Sequence, residues 1–463
     1  MPVCGLTVLA LALSYAVYQQ GGVWTSDWSL CLLEIGLLAI GYRLAAGKDR
    51  TLPFDLLSRW LIVAFAVLTA AQILPLPLSL VRVLSPARAE LFAATLPVLG
   101  DARWLPLSAA PALTAERLLS IAGYLLVFLL VRDMAWRLRD FPWLPVLPLI
   151  AIAAVEAAAG LVQSWEGAPL ATGSYVNHNH FAGFLAMCLP FAVLYPAAIL
   201  RRPRGPGLSA GVSARVLAPV LPPVLPPVLK ACGLLLVAAL ISAAILLSLS
   251  RMGAVASLLS LGAVGCFAFA AEGRFRKRPL ALRLLQLASF FVFALGAFLL
   301  LPSDLVARFQ APVYTPDFLW RAHVWKDTLG LIKAFPLFGC GLGAFESTFP
   351  RYQTVSPMFT IDFAHNDYLQ YMAELGALGF LTGLVFVLRL FAQTLRAAID
   401  EPSIDRRYVL LACTGSLVAI LLHSFVDFNL CIPANAMLLA WIGGIAASAL
   451  HRPSPAPPRG PLT

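Results

Sequence analysis

The chain has 463 residues, of which 60% are hydrophobic and 12% are charged. Since a typical soluble domain carries about 25% charged residues, this composition excludes a soluble protein with a single anchor and predicts an integral membrane protein. The formal net charge is +10. In a membrane protein such an excess follows from Lys and Arg in the cytoplasmic loops, so the charge does not indicate a nucleic-acid partner.

Long apolar runs divide the chain into twelve predicted membrane spans. A transmembrane helix needs about 20 apolar residues to cross about 30 Å of hydrocarbon. We therefore expect an all-α polytopic membrane protein with about twelve transmembrane helices. The predicted spans are 3–19, 28–46, 59–80, 113–132, 143–164, 179–200, 231–250, 252–271, 284–302, 369–391, 407–424 and 433–450.

Polar segments between the spans define the predicted domains. The segment 201–229 is rich in Pro, Gly and Arg, which indicates a semi-rigid cytoplasmic linker. The predicted order is helices 1–9 within 1–302, including that linker, then a large external loop at 303–368. Helices 10–12 follow within 369–450, and a Pro-rich tail, 451–463, is expected to be disordered.

The placement of Lys and Arg predicts the orientation. With both termini in the cytoplasm, 23 of the 33 Lys and Arg residues lie in cytoplasmic loops. Nearly all of the others lie in the long loops 81–112 and 303–368. The positive-inside rule therefore predicts cytoplasmic termini and an external 303–368 loop.

Within the external loop, the segment PDFLWRAHVWKDTLGLIKAF predicts a helix that Asp317 caps and Pro336 ends. Its apolar residues near helical spacing predict a face that lies on the membrane surface, namely Phe318, Trp325, Leu329 and Ile332. The glycines of the following FGCGLGAF segment predict a flexible turn, which lacks the GK[ST] ending of a phosphate-binding loop.

Arg251 interrupts forty apolar residues, twenty on each side. Two spans folded back at Arg251 would place the guanidinium at the external membrane face. A position in mid-helix would cost about 2.5–3.5 kcal/mol. Since the orientation requires no cation on the external side, Arg251 is predicted to be either an interfacial anchor or, preferably, an anion ligand.

Polar residues concentrate at the external ends of spans, and every histidine except His451 lies there. These groups occur in GSYVNHNHFAG (173–183), in the loop helix at Arg321 and His323, in FAHNDYLQYMAELG (363–376) and in LLHSFVDFNLCIPANA (421–436). Their number on one side predicts a functional site.

A zinc site and a serine hydrolase are two alternatives for this site. His178 and His180 are two residues apart and would not share a helix face, and His365 has no HxxxH or HxxE partner. No GxSxG elbow is present, and Ser424 beside His423 is typical of ordinary helix packing. Both alternatives are therefore less favoured.

A proton relay or transporter is a stronger alternative, because intramembrane carboxylates and histidines can carry protons. Only Glu34 and Glu156 lie well inside predicted spans, however. Cys340 and Cys431 would face an oxidising compartment, and the sequence leaves open whether they form a disulfide.

The remaining pattern joins external arginines, a histidine and several amides around a membrane-embedded site. Arginine suits bidentate contact with phosphate, and a histidine suits the deprotonation of a hydroxyl. A lipid diphosphate as leaving group would drive such a transfer without a nucleotide or metal.

In these segments the chain resembles the O-antigen ligase/polymerase superfamily of bacterial surface-glycan assembly. The resemblance rests on GSYVNHNHFAGFLAMCLPF, SRMGA, FLWRAHVWKDTLGLIKAFPLFGCGLGAFESTFPRY, FAHNDYLQYMAELGALGF and HSFVDFNLCIPANA. It implies a GT-C-like fold with a large periplasmic loop between helices 9 and 10. It further implies a metal-independent, inverting glycosyltransferase without cofactors that takes glycan from undecaprenyl diphosphate.

The resemblance assigns roles to individual residues. Arg251 and Arg321 would hold the diphosphate, and His365 would orient or deprotonate the acceptor hydroxyl. Second-tier candidates for shaping the substrate cavity are Asn177, Asn179, Asn366, Tyr368 and Glu374. Asn366 and Glu374 are equally suited to structural hydrogen bonds.

The superfamily contains several activities that these motifs do not separate. The favoured one is an O-antigen ligase of the bacterial inner membrane, with lipid A-core as acceptor and an active site facing the periplasm. The alternatives are a repeat-unit polymerase, a protein O-oligosaccharyltransferase and a non-enzymatic polysaccharide transporter. A polymerase would need room for two diphosphates, and the other external arginines show no second close pair in sequence.

Overall fold

The computed structural model describes residues 1–46, 52–99, 103–202, 226–275, 302–310, 316–354 and 360–451. The helices of the first half are α1 (Pro2–Tyr18), α2 (Thr25–Ala46), α3 (Leu56–Ala71), α4 (Leu78–Leu84), α5 (Pro86–Leu99), α6 (Pro111–Arg137), α7 (Leu147–Trp165) and α8 (His178–Arg201). Those of the second half are α9 (Pro227–Leu247), α10 (Arg251–Phe275), α11 (Ser303–Gln310), α12 (Pro316–Ala334), α13 (Phe345–Thr348), α14 (Asp367–Asp400), α15 (Ile404–His423) and α16 (Pro433–Ser448). Two 3₁₀ turns, Phe349–Arg351 and Asn429–Cys431, and one antiparallel pair, β1 (Leu76–Pro77) with β2 (Trp104–Leu105), complete the described elements.

Seven of the described helices, α2, α6, α7, α8, α9, α10 and α14, are long and apolar enough to cross a membrane. The shorter α1, α3 and α16 are also apolar. The chain is therefore a multi-pass helical membrane protein, as predicted, whereas the count of about twelve spans stays a prediction. The ninth predicted span, 284–302, most of the predicted linker and nearly all of the tail lie outside the described residues.

The third predicted span, 59–80, is wrong in its second half. Helix α3 ends at Ala71, and the chain then forms β1 and the short α4. Pro75 and Pro77 follow in this stretch, and a proline both lacks the backbone N–H that continues a helix and restricts the residue before it. The apolar run continues past the helix, so hydropathy alone overestimates its length.

Helix α8 is the most buried of the seven candidate spans, since 78% of its apolar window is buried. Phe181, Phe184 and Phe191 on this helix are among the largest fully buried side chains. The hydroxyl of Ser416 on α15 donates to the carbonyl of Met187 on α8. Helix α8 thus forms the centre against which the later helices pack, and its first residues carry the histidines of the candidate site.

Helix α14 is interrupted at Gly376, whose φ of 63° and ψ of −177° are not helical. The carbonyls before the break lose helical partners, and the glycine-rich segment supplies new ones. The N–H of Cys340 donates to the Ala373 carbonyl at 2.9 Å, and the N–H of Ala377 donates to the Pro336 carbonyl at 2.8 Å. The break is therefore satisfied by another segment, as broken helices in a membrane protein require.

The side chain of Gln72, directly after α3, ties this glycine-rich segment to α14. Its amide donates to the carbonyls of Phe338 and Glu374 at 2.7 and 2.9 Å, and its oxygen accepts from the Leu342 N–H at 3.0 Å. At Gly339 a Cβ would lie 2.2 Å from the Glu374 carbonyl oxygen. The segment that the sequence predicted as a flexible turn is thus held by hydrogen bonds and close packing.

The loop helix forms as predicted, and it also buries apolar residues other than those predicted to lie on the membrane. Helix α12 begins at Pro316, so Asp317 lies inside the helix and is not its N-cap. Val324, Leu331 and Phe335 are buried in a satellite core, whereas Leu329 is 47% exposed. Apolar residues therefore occur on more than one face of the helix, and contact of the predicted face with the membrane stays a prediction.

Candidate functional site

Arg251 is the first residue of α10, as its place between two apolar runs predicts. Helix α9 ends at Leu247, and Ser248, Leu249 and Ser250 form the connecting turn. The Ser250 hydroxyl accepts from the Gly253 N–H at 3.1 Å, which caps the new helix. Leu249 has a φ of 53°. The turn thus fixes Arg251, which is half-buried, at the beginning of a helix.

A second arginine, Arg308 on α11, faces the same turn. Its Nη1 donates to the carbonyl of Leu249 at 3.2 Å, and Nη1 of Arg251 donates to the carbonyl of Arg308 at 3.4 Å. Each arginine therefore binds the backbone beside the other. Arg308 is one of the arginines of the predicted external loop 303–368, and sequence analysis assigned it no role. Its only signal in the sequence was a cation in that loop.

His178 links this turn to the rest of the site. It lies beside the Ser248 backbone and within electrostatic range of Arg308, Arg321 and Asp427. The first turn of α8, the turn before α10 and the loop helix α12 therefore meet at one end of the bundle.

Arg321 on α12 points to the segment after α15. Its Nη1 donates to the carbonyl of Val426 at 2.7 Å, and Arg321 lies within electrostatic range of Asp427 and His423. The strong hydrogen bond to a backbone carbonyl orients the guanidinium. The segment 424–428 thereby positions one of the two arginines that the sequence predicted.

His365 lies two residues before α14 with a φ of 51°, a region that non-glycine residues seldom adopt and that often marks functional sites. Its ring packs edge-on against Trp320 and Phe428, with centroid distances of 5.2 and 4.9 Å. Trp325 Nε1 donates to the His365 carbonyl at 3.4 Å. Helix α12 and Phe428 therefore fix the histidine from two sides.

Phe428 also connects His365 with a second polar group. The ring of His180 lies 4.6 Å from the ring of Phe428, and its Nε2 lies 3.6 Å from Oδ1 of the buried Asp427, an ion-pair distance that is too long for a hydrogen bond. Burial alone would raise the pKa of Asp427, but the interactions with His180, and then with His423 and Arg321, outweigh it. The pKa of Asp427 is therefore held below its usual value, and the carboxylate stays charged.

Buried polar atoms without a hydrogen-bond partner concentrate here. Among the described residues they include His178 Nδ1, His180 Nε2, both ring nitrogens of His423, Asp427 Oδ2 and Asn429 Nδ2. Since buried polar groups nearly always find partners, these atoms indicate a place where water or substrate completes the hydrogen bonding. Sequence reasoning noted these residues as polar but assigned them no role, because their convergence depends on tertiary contacts.

Most of the predicted substrate-binding residues also have structural partners. Asn177 caps α8 through the Asn179 N–H at 2.8 Å, and Asn366 caps α14 through the Leu369 N–H at 3.1 Å. The Tyr368 hydroxyl donates to the Leu421 carbonyl at 2.7 Å. The described contacts give Asn179 no such side-chain role, and substrate contact by these residues stays a prediction.

Glu374 lies apart from the arginines and histidines, below the glycine-rich turn. It is 5% exposed and accepts from Gln370 Nε2 at 2.7 Å and from the N–H groups of Gly343 and Phe345. With Arg117 it lines a small cavity of about 40 Å³. These contacts support the alternative role for Glu374 that the sequence left open, namely structural hydrogen bonding.

The described residues also bear on the disulfide, the metal site and the proton relay that the sequence left as alternatives. Cys340 and Cys431 are both free thiols. No group of three or more His, Cys, Asp or Glu residues is arranged to hold a metal ion within the described ranges. Glu156, which a proton relay would use, accepts hydrogen bonds from the backbone and hydroxyl of Ser174 at 2.9 and 3.0 Å.

Residues 236–384 match the family model described as O-antigen ligase. The match covers about a third of the chain and includes Arg251, Arg321 and His365. It confirms the resemblance to the O-antigen ligase/polymerase superfamily over this segment and supports membership of that family. The chain matches none of the curated proteins significantly.

Proposed function

We propose that this protein is a glycosyltransferase of the O-antigen ligase type. It moves a glycan from undecaprenyl diphosphate to a sugar hydroxyl of lipid A-core at the periplasmic face of the inner membrane. The observation that carries the proposal is the meeting of arginines and histidines at one end of a membrane bundle, inside and beside the segment that matches the family.

The arginines would bind the donor. Arg251, Arg308 and Arg321 present three guanidinium groups, whose planar donors match phosphate oxygens. Negative charge grows on the diphosphate as the bond to the anomeric carbon breaks, and fixed cations in a low-dielectric site stabilise that charge. In the proposed reaction the arginines stabilise the charge of the leaving diphosphate, as a divalent metal does in other glycosyltransferases. The proposed reaction therefore needs no metal and no other cofactor.

His365 would act on the acceptor. Its ring takes the proton from the acceptor hydroxyl as the hydroxyl oxygen attacks the anomeric carbon on the side opposite the diphosphate. The new glycosidic bond forms as the bond to the diphosphate breaks, so the configuration inverts and undecaprenyl diphosphate leaves as an anion. Packing against Trp320 and Phe428 keeps the ring in one orientation, which positions the base before the substrate arrives.

Asp427 would offset part of the positive charge of the three arginines. Three arginines in one place repel each other, and a buried carboxylate within range of Arg321 reduces that repulsion in the absence of substrate. The imidazole of His180, whose Nε2 lies 3.6 Å from Asp427 Oδ1, would help to keep the carboxylate in place. We assign Asp427 and His180 a positioning role, since no contact places them on the reacting atoms.

Reconstituted transfer from a lipid-linked glycan to lipid A-core tests the proposal. His365→Ala should lower turnover by about 100-fold or more, as expected for loss of a general base, and Arg251→Lys and Arg321→Lys should both impair transfer, since a point charge does not reproduce a bidentate fork. His323→Ala and Arg351→Lys are matched controls, because His323 is exposed and the Arg351 side chain is 45% exposed beside Glu90. Transfer by wild-type protein should survive EDTA.

A null strain separates the ligase from the polymerase. Loss of a ligase should leave bare core with glycan accumulating on the carrier lipid, whereas core bearing a single repeat would identify a polymerase.

In the reconstituted assay, near-normal transfer by His365→Ala would refute the general-base role.

A further inference from the structure

A second cavity lies at the end of the bundle opposite the candidate site, and it measures about 410 Å³. Phe386 and Leu390 on α14 line it. They follow Asp367, the first residue of that helix, by about 20 residues, which at 1.5 Å per residue and with the break at Gly376 places the cavity up to about 30 Å from the site end. The cavity is therefore independent of the arginines and histidines described above.

The wall of this cavity is amphipathic. Its apolar part includes the rings of Phe54, Phe128 and Phe386, and its polar part includes Arg132, Gln393 and His451. The volume lies within the range of about 300–1,000 Å³ that is common for ligand sites. A ligand that fits this wall has an apolar body and a polar or charged head.

Arg132 supplies the charge. It is 6% exposed and donates to the carbonyls of Leu52 and Pro53 at 2.9 and 2.6 Å. Its guanidinium carbon lies 3.9 Å from the centre of the Phe54 ring. Its Nε is buried and has no hydrogen-bond partner among the described residues. The structure thus holds a buried arginine rigidly at the cavity wall, with one donor still to be satisfied.

The carboxylate that also lines the cavity is already engaged. Asp55 Oδ1 lies 2.8 Å from Nη2 of Arg389, and the carboxylate accepts from the N–H and hydroxyl of Ser58 at 3.1 and 2.6 Å. Since Arg389 offsets the charge of Asp55, the charge of Arg132 remains and the lining favours an anion.

The helices beside the cavity face lipid. Leu56 and Trp60 on α3 are 66% and 55% exposed, and Leu381 and Leu388 on α14 are 50% and 47% exposed. Exposed large apolar side chains on two neighbouring helices of a membrane protein are covered by acyl chains. A lipid can therefore reach the cavity from the bilayer.

We propose that this cavity binds the head group of an anionic phospholipid. Arg132 supplies the positive charge that attracts the phosphate, the phenyl rings contact the glycerol region, and the acyl chains follow the exposed faces of α3 and α14. Basic pockets between transmembrane helices are known to select anionic lipids in this way. The proposal does not depend on the transfer reaction.

Native mass spectrometry of the full-length protein, released from nanodiscs with equal phosphatidylethanolamine and phosphatidylglycerol, tests this site. The wild type should retain phosphatidylglycerol preferentially. Arg132→Met should reduce that preference about fivefold, the effect expected for one cation near a membrane surface. Arg139→Met is the matched control, because Arg139 lies beyond the end of α6, does not line the cavity and is exposed.

A second pair of variants guards against misfolding of Arg132→Met. Gln393→Trp fills the cavity from α14 and should also lower retention, whereas Leu236→Trp, at an exposed position of α9 that does not line the cavity, should not. Equal retention of the two lipids by the wild type would overturn the proposal. Equal losses in Arg132→Met and Arg139→Met would also overturn it. So would a wild-type protein that retains neither lipid, because the cavity would then bind no phospholipid.

Discussion

The hydrogen bonds of Gln72 allow a quantitative prediction about the break in α14. Gln72→Leu keeps the approximate volume of the side chain and removes its amide. The Leu342 N–H then loses its acceptor and the Phe338 carbonyl loses its donor, while the Glu374 carbonyl keeps the Gly341 N–H at 3.1 Å. A buried group without a partner costs about 1–3 kcal/mol, and the partly buried Phe338 carbonyl adds less, so we expect about 2–4 kcal/mol in total.

Cys340 provides the assay, since it lies in the glycine-rich turn and is fully buried. Burial raises the pKa of its thiol, and a thiol in such surroundings is unreactive until the turn opens. The rate of maleimide labelling therefore reports the population of the open turn. At 1.4 kcal/mol for each factor of ten, Gln72→Leu should label roughly 30- to 700-fold faster, as measured on the peptide that contains Cys340.

Gln310→Leu is the control, because the same change at an exposed residue of α11 should leave the labelling rate of Cys340 unaltered. If Cys340 in Gln72→Leu reacts at the wild-type rate, the amide does not hold the turn. The stated link between α3 and the break in α14 would then be wrong.

Three further outcomes follow from the site and its packing. Asp427→Asn should weaken transfer. Because the pKa of Asp427 is held below its usual value, the wild type should lose stability as the pH falls below about 3.9. The variant should lose less stability over the same pH range. Parallel acid-denaturation curves would contradict this. Gly183→Ala should lower the melting temperature, since its Cβ would lie 2.2 Å from Oδ1 of Asn429, whereas Gly233→Ala, with open space around it, should not; equal melting temperatures would refute the packing argument. A cysteine at the exposed Asp362 should label from the periplasm, and labelling only after inner-membrane lysis would reverse the predicted orientation.

The sequence predicted the helices well because a membrane span is a local property. Every predicted span within the described residues overlaps a helix, since an apolar run of about 20 residues has few other stable forms in a bilayer. The error at 59–80 arose because hydropathy does not register where backbone hydrogen bonding stops. Pro75 and Pro77 carried that signal, because prolines disfavour a continuous helix even among apolar neighbours.

The site was harder to predict because its geometry is made by tertiary contacts. Arg251, Arg321 and His365 were identified through family motifs. Arg308 and Asp427 were not assigned a role. Arg308 is distinguished by its hydrogen bond to the Leu249 carbonyl. Asp427 is distinguished by its burial and by its contact with His180. Sequence spacing contains neither fact, since the partners are 59 and 247 residues away.

The matched segment 236–384 contains the proposed phosphate ligands and base, but contacts from outside it also orient two of them. The Val426 carbonyl orients Arg321, the Phe428 ring packs on His365, and the Ser424 hydroxyl donates to Asp367 at 2.7 Å, which anchors the first turn of α14. The segment that matches the family model therefore covers only part of the candidate site. The segment 424–428 is where we expect related chains to adjust the same chemistry, because a shift there moves the arginine and the histidine relative to each other without altering either one.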